Sequence, residues 1–159
     1  MRIATCNVNG IRAAARKGMG SWISDVKPDV LLLQEVRAPE ALVADLVNQP
    51  DINYQIFQQA ALLKGRAGVA IAVRDGIAAG QVRLGLTAGL TAGESEAAVD
   101  TGRWIEVDIP AFETTFISAY LHSGAADNAE KMDAKYAHLQ RVTKRLTDLR
   151  ENRSSGMYW

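Results

Sequence analysis

Apolar and polar positions follow two rhythms along this chain. Up to residue 47, short apolar runs alternate with helical stripes. Residues 2–7 read as a short buried strand closed by the turn Asn7-Val8-Asn9-Gly10. Residues 11–26 place Ile11, Ala14, Ala15, Trp22, Ile23 and Val26 on an interrupted helical stripe. Gly18 and Gly20 weaken its middle, each costing about 1 kcal/mol relative to alanine inside a helix. After Lys27-Pro28-Asp29, residues 30–34 read Val-Leu-Leu-Leu-Gln, apolar on both faces as in a central strand covered on both sides. Residues 39–47 predict a short helix with Leu42, Val43, Leu46 and Val47 along one side.

From residue 54 the period becomes two. Segments 54–57, 68–73, 81–84, 103–109 and 114–120 all read as strands, the last two joined through Pro110-Ala111 as a hairpin with Ile105, Val107 and Ile109 on one face. Residues 85–102, rich in Gly, Ala, Thr and Glu and without a period, read as a surface loop. Residues 130–149 predict a long helix with Leu139, Val142, Leu146 and Leu149 inward and Arg141, Lys144 and Arg145 outward. The expected architecture is one α/β domain, a mixed sheet covered on one face by the helices near 11–26, 39–47 and 130–149.

Composition narrows the picture. At 159 residues and 48% hydrophobic, the chain is long enough to bury a sizeable core. Eighteen basic residues balance eighteen acidic ones, so no global positive field advertises a nucleic-acid partner, although a local patch could still grip one. The single cysteine, Cys6, cannot close an internal disulfide and suits a reducing cytoplasm. No apolar run approaches the roughly 18 residues of a membrane span, and the first residues lack the pattern of a signal peptide, so no membrane partner is expected.

The candidate chemistry sits at two strand ends. Glu35 follows four apolar strand residues, so its carboxylate must leave the core where open α/β sheets bind ligands. On spacing alone the plainer reading is a surface glutamate capping a strand. Asn7 closes the adjoining strand, where Asn-x-Asn-Gly is also good turn chemistry in its own right. Taken in order, Thr5-Cys6-Asn7-Val8-Asn9-Gly10-Ile11-Arg12 and Pro28-Asp29-Val30-Leu31-Leu32-Leu33-Gln34-Glu35 resemble the exonuclease III branch of the endonuclease/exonuclease/phosphatase superfamily. The resemblance runs from Met1 to about Leu149. Tyr120-Leu121-His122-Ser123-Gly124 is similar to a further family segment, and Gly65-Arg66-Ala67-Gly68-Val69-Ala70-Ile71 to the strand beneath the site.

The resemblance implies a magnesium site, open to manganese, held by Asn7 and Glu35. It also implies a catalytic Tyr120 whose hydroxyl contacts the scissile phosphate. Arg103, at the start of a strand, and Lys135, near the start of the last helix, are candidate substrate-binding residues; Arg103 reads equally as an exposed strand-end charge, and for Lys135 a solvated helix charge is the commoner case. Cys6 departs from the family, which commonly has a large aromatic there, and the exchange should leave a hole worth on the order of 3 kcal/mol unless neighbours fill it. With no cationic neighbour in sequence, Cys6 reads as a small core residue rather than a nucleophile. Two histidines, His122 and His138, are too few for a dedicated zinc site.

The resemblance further implies half of a four-layer α/β sandwich: residues 1–150 as the amino-terminal half of an exonuclease III-like domain, residues 151–159 as a tail outside the family. The family's Gly-Asp-x-Asn segment, whose aspartate activates water, and its Ser-Asp-His segment do not occur in the 159 residues. The expected partner is duplex DNA, at abasic sites or 3′ ends, with little or no cleavage by this chain alone. The alternative is a non-catalytic module binding DNA or a partner; a phospholipid or nucleotide hydrolase fits these segments less well. A half-sandwich should also leave one sheet face bare, with Ile105, Val107 and Ile109 exposed, favouring self-association or docking of a carboxy-terminal half.

Overall fold

The computed structural model describes residues 1–154. These divide into two compact units, residues 1–85 with 97–120 and residues 86–96 with those from 121 onward. In the first unit, β1 (Ile3–Asn7), β2 (Val30–Gln34), β3 (Tyr54–Gln59) and β4 (Val69–Arg74) form a sheet in the order β1-β2-β4-β3. β1 and β2 are parallel, with Asn7 opposite Gln34, and the other pairs are antiparallel. The sheet is therefore mixed, as the change of rhythm implies.

Its apolar strand β2 is buried on both sides for different reasons. Leu31 and Leu33 pack with Ile11, Ile23, Val43 and Val47 from the helices α1 (Ile11–Arg16), α2 (Met19–Val26) and α3 (Glu40–Val47). Val30 and Leu32 face the opposite way. The 11–26 stripe breaks into two helices at Gly18, whose φ of 95° suits a residue without a side chain.

The later strands do not extend this sheet. β5 (Val82–Leu84), β6 (Trp104–Ile109) and β7 (Thr114–Ala119) form a second, antiparallel sheet in that order. Ile105, Val107 and Ile109, expected to be bare, are fully buried against Val30, Leu32, Val69, Ile71 and Val73. The first sheet's second face is thus covered within this chain. Period-two alternation says which residues share a face but not which sheet a strand joins.

The outer face of β6 is also closed to water. Glu106 and Asp108 are buried there, and the Arg83 guanidinium donates to Glu106 at 2.6 Å and to both Asp108 oxygens at 2.8 and 2.5 Å. Trp104 Nε1 donates to Glu106 at 2.9 Å, and the Thr115 hydroxyl to Asp108 at 2.8 Å.

The second unit is built on α4 (Ala129–Ser154). Residues 151–154, the start of the tail read as outside the family, continue this helix, and 155–159 lie outside the described residues. Arg141 donates to the Leu86 carbonyl and lies 3.4 Å from Glu96, which also accepts the Leu86 N–H at 2.8 Å. The aperiodic 86–96 loop is therefore tied to α4 by a half-buried arginine that was expected to face outward. The His122 and His138 rings meet edge to face with centroids 5.0 Å apart. Of the inward set expected on α4, Leu146 is instead 48% exposed. No helix among the described residues is long and apolar enough to cross a membrane.

Candidate functional site

Three chain segments of the first unit converge where β1, β2 and β7 end. Asn7 is the last residue of β1, Glu35 follows β2, and Tyr120 follows β7. The Asn7 amide Nδ2 donates to Glu35 Oε1 at 2.7 Å, while its Oδ1 accepts the Asn9 N–H at 3.0 Å in a local turn. The Tyr120 hydroxyl hydrogen-bonds the Glu35 carboxylate. Residues separated by up to 113 positions in sequence (Asn7 to Tyr120) thus share one hydrogen-bonded cluster.

The backbone beneath Glu35 is held out of the ordinary regions. Glu35 and Arg37 each have φ of 53°, and Asn9 has φ of 45°. Such conformations cost of order 1–3 kcal/mol each and persist only where the surroundings over-determine them. Here the determinants are backbone bonds: Gly10 N–H to the Glu35 carbonyl at 2.7 Å, Ile11 N–H to Val36 at 3.0 Å, and Val36 N–H to Gly68 at 3.0 Å. Gly68 passes so close that a Cβ would lie 3.2 Å from the Arg37 nitrogen.

The electrostatics follow from these contacts. The Asn7 hydrogen bond, with help from Tyr120 and Arg37, holds the Glu35 carboxyl below the usual carboxylate range against the opposing effect of burial. Burial, then the neighbouring Glu35 charge, pushes the Tyr120 phenol up. Glu35 is therefore a carboxylate and Tyr120 a neutral donor near pH 7.

Arg103 is brought to the cluster, but toward the tyrosine. Its guanidinium carbon lies 5.1 Å from the Tyr120 ring centroid, and it donates to the Val99 carbonyl at 2.9 Å and the Tyr120 carbonyl at 3.2 Å. Lys135 belongs to α4 of the second unit, where its side chain packs beside Gly124. Arg37, which pairs with Glu35 Oε2, is a residue the sequence reading did not single out. Its signal is slight: a basic residue two positions beyond the strand-end glutamate. Also unanticipated is a cavity of about 460 Å³ bordered by Arg12, Arg37, Lys64 and Arg66. These four cations span 54 positions and form no run in the sequence, so only the fold collects them. A second cavity, of about 450 Å³, opens beside Cys6 between Val8, Met19 and Trp22, where the loss of a large aromatic side chain would leave space.

The donors suit a hard cation in kind. A carboxylate offers about four acceptor sites, of which Asn7, Tyr120 and Arg37 take three and leave one. Magnesium is commonly held by one or two carboxylates, with water and substrate phosphate completing its shell. Glu35, with Asn7 in support, fits a site of that sparse type.

A model of the Endonuclease/Exonuclease/phosphatase family matches residues 4–144. The DNA repair nuclease APEX1 of Danio rerio is 35% identical over 72 residues, which cover 45% of this chain and 23% of that protein. Among solved structures, the APE2 catalytic domain of Xenopus laevis superposes with a TM-score of 0.70 at 18% identity, covering 96% of this chain and 55% of its own. An AP endonuclease from Archaeoglobus fulgidus gives a TM-score of 0.65 at 29% identity, covering 89% of this chain and 49% of its own. The first of these two bears on the fold alone. The chain spans about half the length of these solved relatives and less of the curated one.

Proposed function

Since the chain belongs to the endonuclease/exonuclease/phosphatase family, we propose that Asn7, Glu35 and Tyr120 form the metal- and phosphate-binding part of a DNA-repair phosphodiesterase site. The observation that carries this reading is the hydrogen-bonded cluster of a strand-end carboxylate, an amide and a neutral phenol. The adjacent four-cation cavity supports a polyanionic substrate. The similarity to an AP endonuclease at 29% identity supports abasic-site DNA as the substrate, and the resemblance of the 5–12 and 120–124 segments extends the proposal to 3′ ends of duplex DNA.

Each residue has a role its chemistry allows. Glu35, with the Asn7 amide beside it, would hold magnesium or manganese, which supplies charge neutralisation at the phosphate. Tyr120 would turn its single hydroxyl proton from Glu35 toward the oxygen on which charge develops, and Arg103 fixes its ring. Arg12, Arg37, Lys64 and Arg66 attract the flanking backbone. The Gly-Asp-x-Asn and Ser-Asp-His segments are not among the 159 residues, which favours binding over cutting by this stretch alone.

An abasic-site duplex titrated with the chain, in magnesium and in EDTA, tests the reading. Expected is binding that weakens steeply with salt, that loses about one unit of salt slope in Arg66→Ala, and that is accompanied by little cleavage. Absence of binding at low salt contradicts it. Cleavage in magnesium would show that the stretch suffices as an enzyme.

A further inference from the structure

Below the rim lies a second polar layer whose members each sit one or two residues before a member of the first. Thr5 lies on β1 two residues before Asn7, Gln34 ends β2 just before Glu35, and Ser118 lies on β7 two residues before Tyr120. Gln34 Nε2 donates to the Ser118 hydroxyl at 3.0 Å and lies 3.2 Å from the Thr5 hydroxyl. The Ser118 hydroxyl in turn donates to the Leu33 carbonyl at 2.9 Å. One glutamine amide therefore ties together the three strands that deliver the candidate site, across both sheets.

Besides the Ser118–Leu33 bond, β2 and β7 meet through apolar residues such as Leu32 and Phe116, which are tolerant of sliding by fractions of an ångström. Hydrogen bonds are directional, so the Gln34 bridge fixes the height of β7 against β2 where Tyr120 must reach Glu35. Ser118 is fully buried, so its loss would leave the Gln34 donor short of a partner in a dry place.

We propose that Gln34 is the positioning residue of the Asn7–Glu35–Tyr120 cluster, acting through Thr5 and Ser118 to hold the three strand ends in register. The inference rests on the site reading above but concerns the cluster's geometry, which exists without a ligand. Residues that orient metal ligands commonly affect affinity about 10- to 100-fold when replaced.

The test uses the full chain with Gln34→Met, which keeps length and removes the amide, and Ser118→Ala as a milder second variant. The Asn7 side-chain amide resonances report the bond to Glu35 without any metal, and manganese titration reports the site as a whole. In Gln34→Met these resonances should move toward those of a solvated amide, and manganese affinity should fall on the order of tenfold. Ser118→Ala should shift both the same way by less, with the apolar core unchanged in its methyl spectrum. Unmoved Asn7 resonances in either folded variant overturn the proposal. A wild-type chain that binds no manganese, yet whose Asn7 resonances still respond to Gln34→Met, sinks the metal reading and leaves the positioning role standing.

Discussion

The first unit holds two arginine–carboxylate clusters that differ in almost every physical respect except charge. At the rim, Glu35 pairs with Arg37 on strained backbone at a strand end, and Glu35 keeps 13% of its side chain exposed. On the outer face of the second sheet, Arg83 grips Glu106 and Asp108 from regular strands, and each carboxylate is 2% exposed. The outer cluster closes its carboxylates off from water with the arginine, Trp104 and Thr115. The rim carboxylate stays partly open to solvent, paired with an arginine that borders a cavity. Charge clustering alone does not mark a site; strain, a strand end and access to solvent together do.

The largest expected effect comes from breaking the outer cluster. Arg83→Met leaves two buried carboxylates without their cation and should cost about 3–5 kcal/mol in unfolding free energy. Chemical denaturation measures this, and a loss below about 1 kcal/mol would mean the carboxylates reach water or another partner. Glu35→Gln, by contrast, should change stability by less than about 1 kcal/mol, because a partly exposed rim residue keeps an acceptor for Asn7.

The comparison also exposes what could be read from the chain beforehand. That Asn7, Glu35 and Tyr120 come together could be anticipated: Asn7 and Glu35 end strands with their own local patterns, the resemblance of residues 120–124 pointed to Tyr120, and strand ends collect at one edge of an α/β fold. The burial of Glu106 and Asp108 could not be. Their alternation with Ile105, Val107 and Ile109 assigns them to a wet face, and the arginine that buries them comes from β5, about twenty positions earlier. The second sheet was missed for the same reason: a period of two fixes faces, whereas sheet membership depends on long-range pairing. Arg37 and the four-cation cavity escaped because loop conformation, not periodicity, gathers them.

A pH titration sharpens the contrast next. Glu35 has its pKa lowered, chiefly by Asn7, so its contribution is present above the ordinary carboxylate range and is lost only as pH falls through the depressed folded value. Manganese affinity should therefore be flat from neutral pH down into that range and drop below it. A midpoint above the ordinary range would show that burial, not the Asn7 bond, governs this carboxylate. Smallest of all should be Arg37→Ala. Removing the competing cation from an exposed pair should tighten metal binding on the order of two- to fivefold while weakening DNA binding. Metal binding that weakens instead would make Arg37 a support of the site rather than a competitor.

The most direct test of the rim as a cation site is calorimetric titration of manganese into the wild-type chain and into Glu35→Gln. Weak single-site binding that disappears in Glu35→Gln is the predicted result. Binding that is absent in the wild type, or unchanged by Glu35→Gln, would contradict the account.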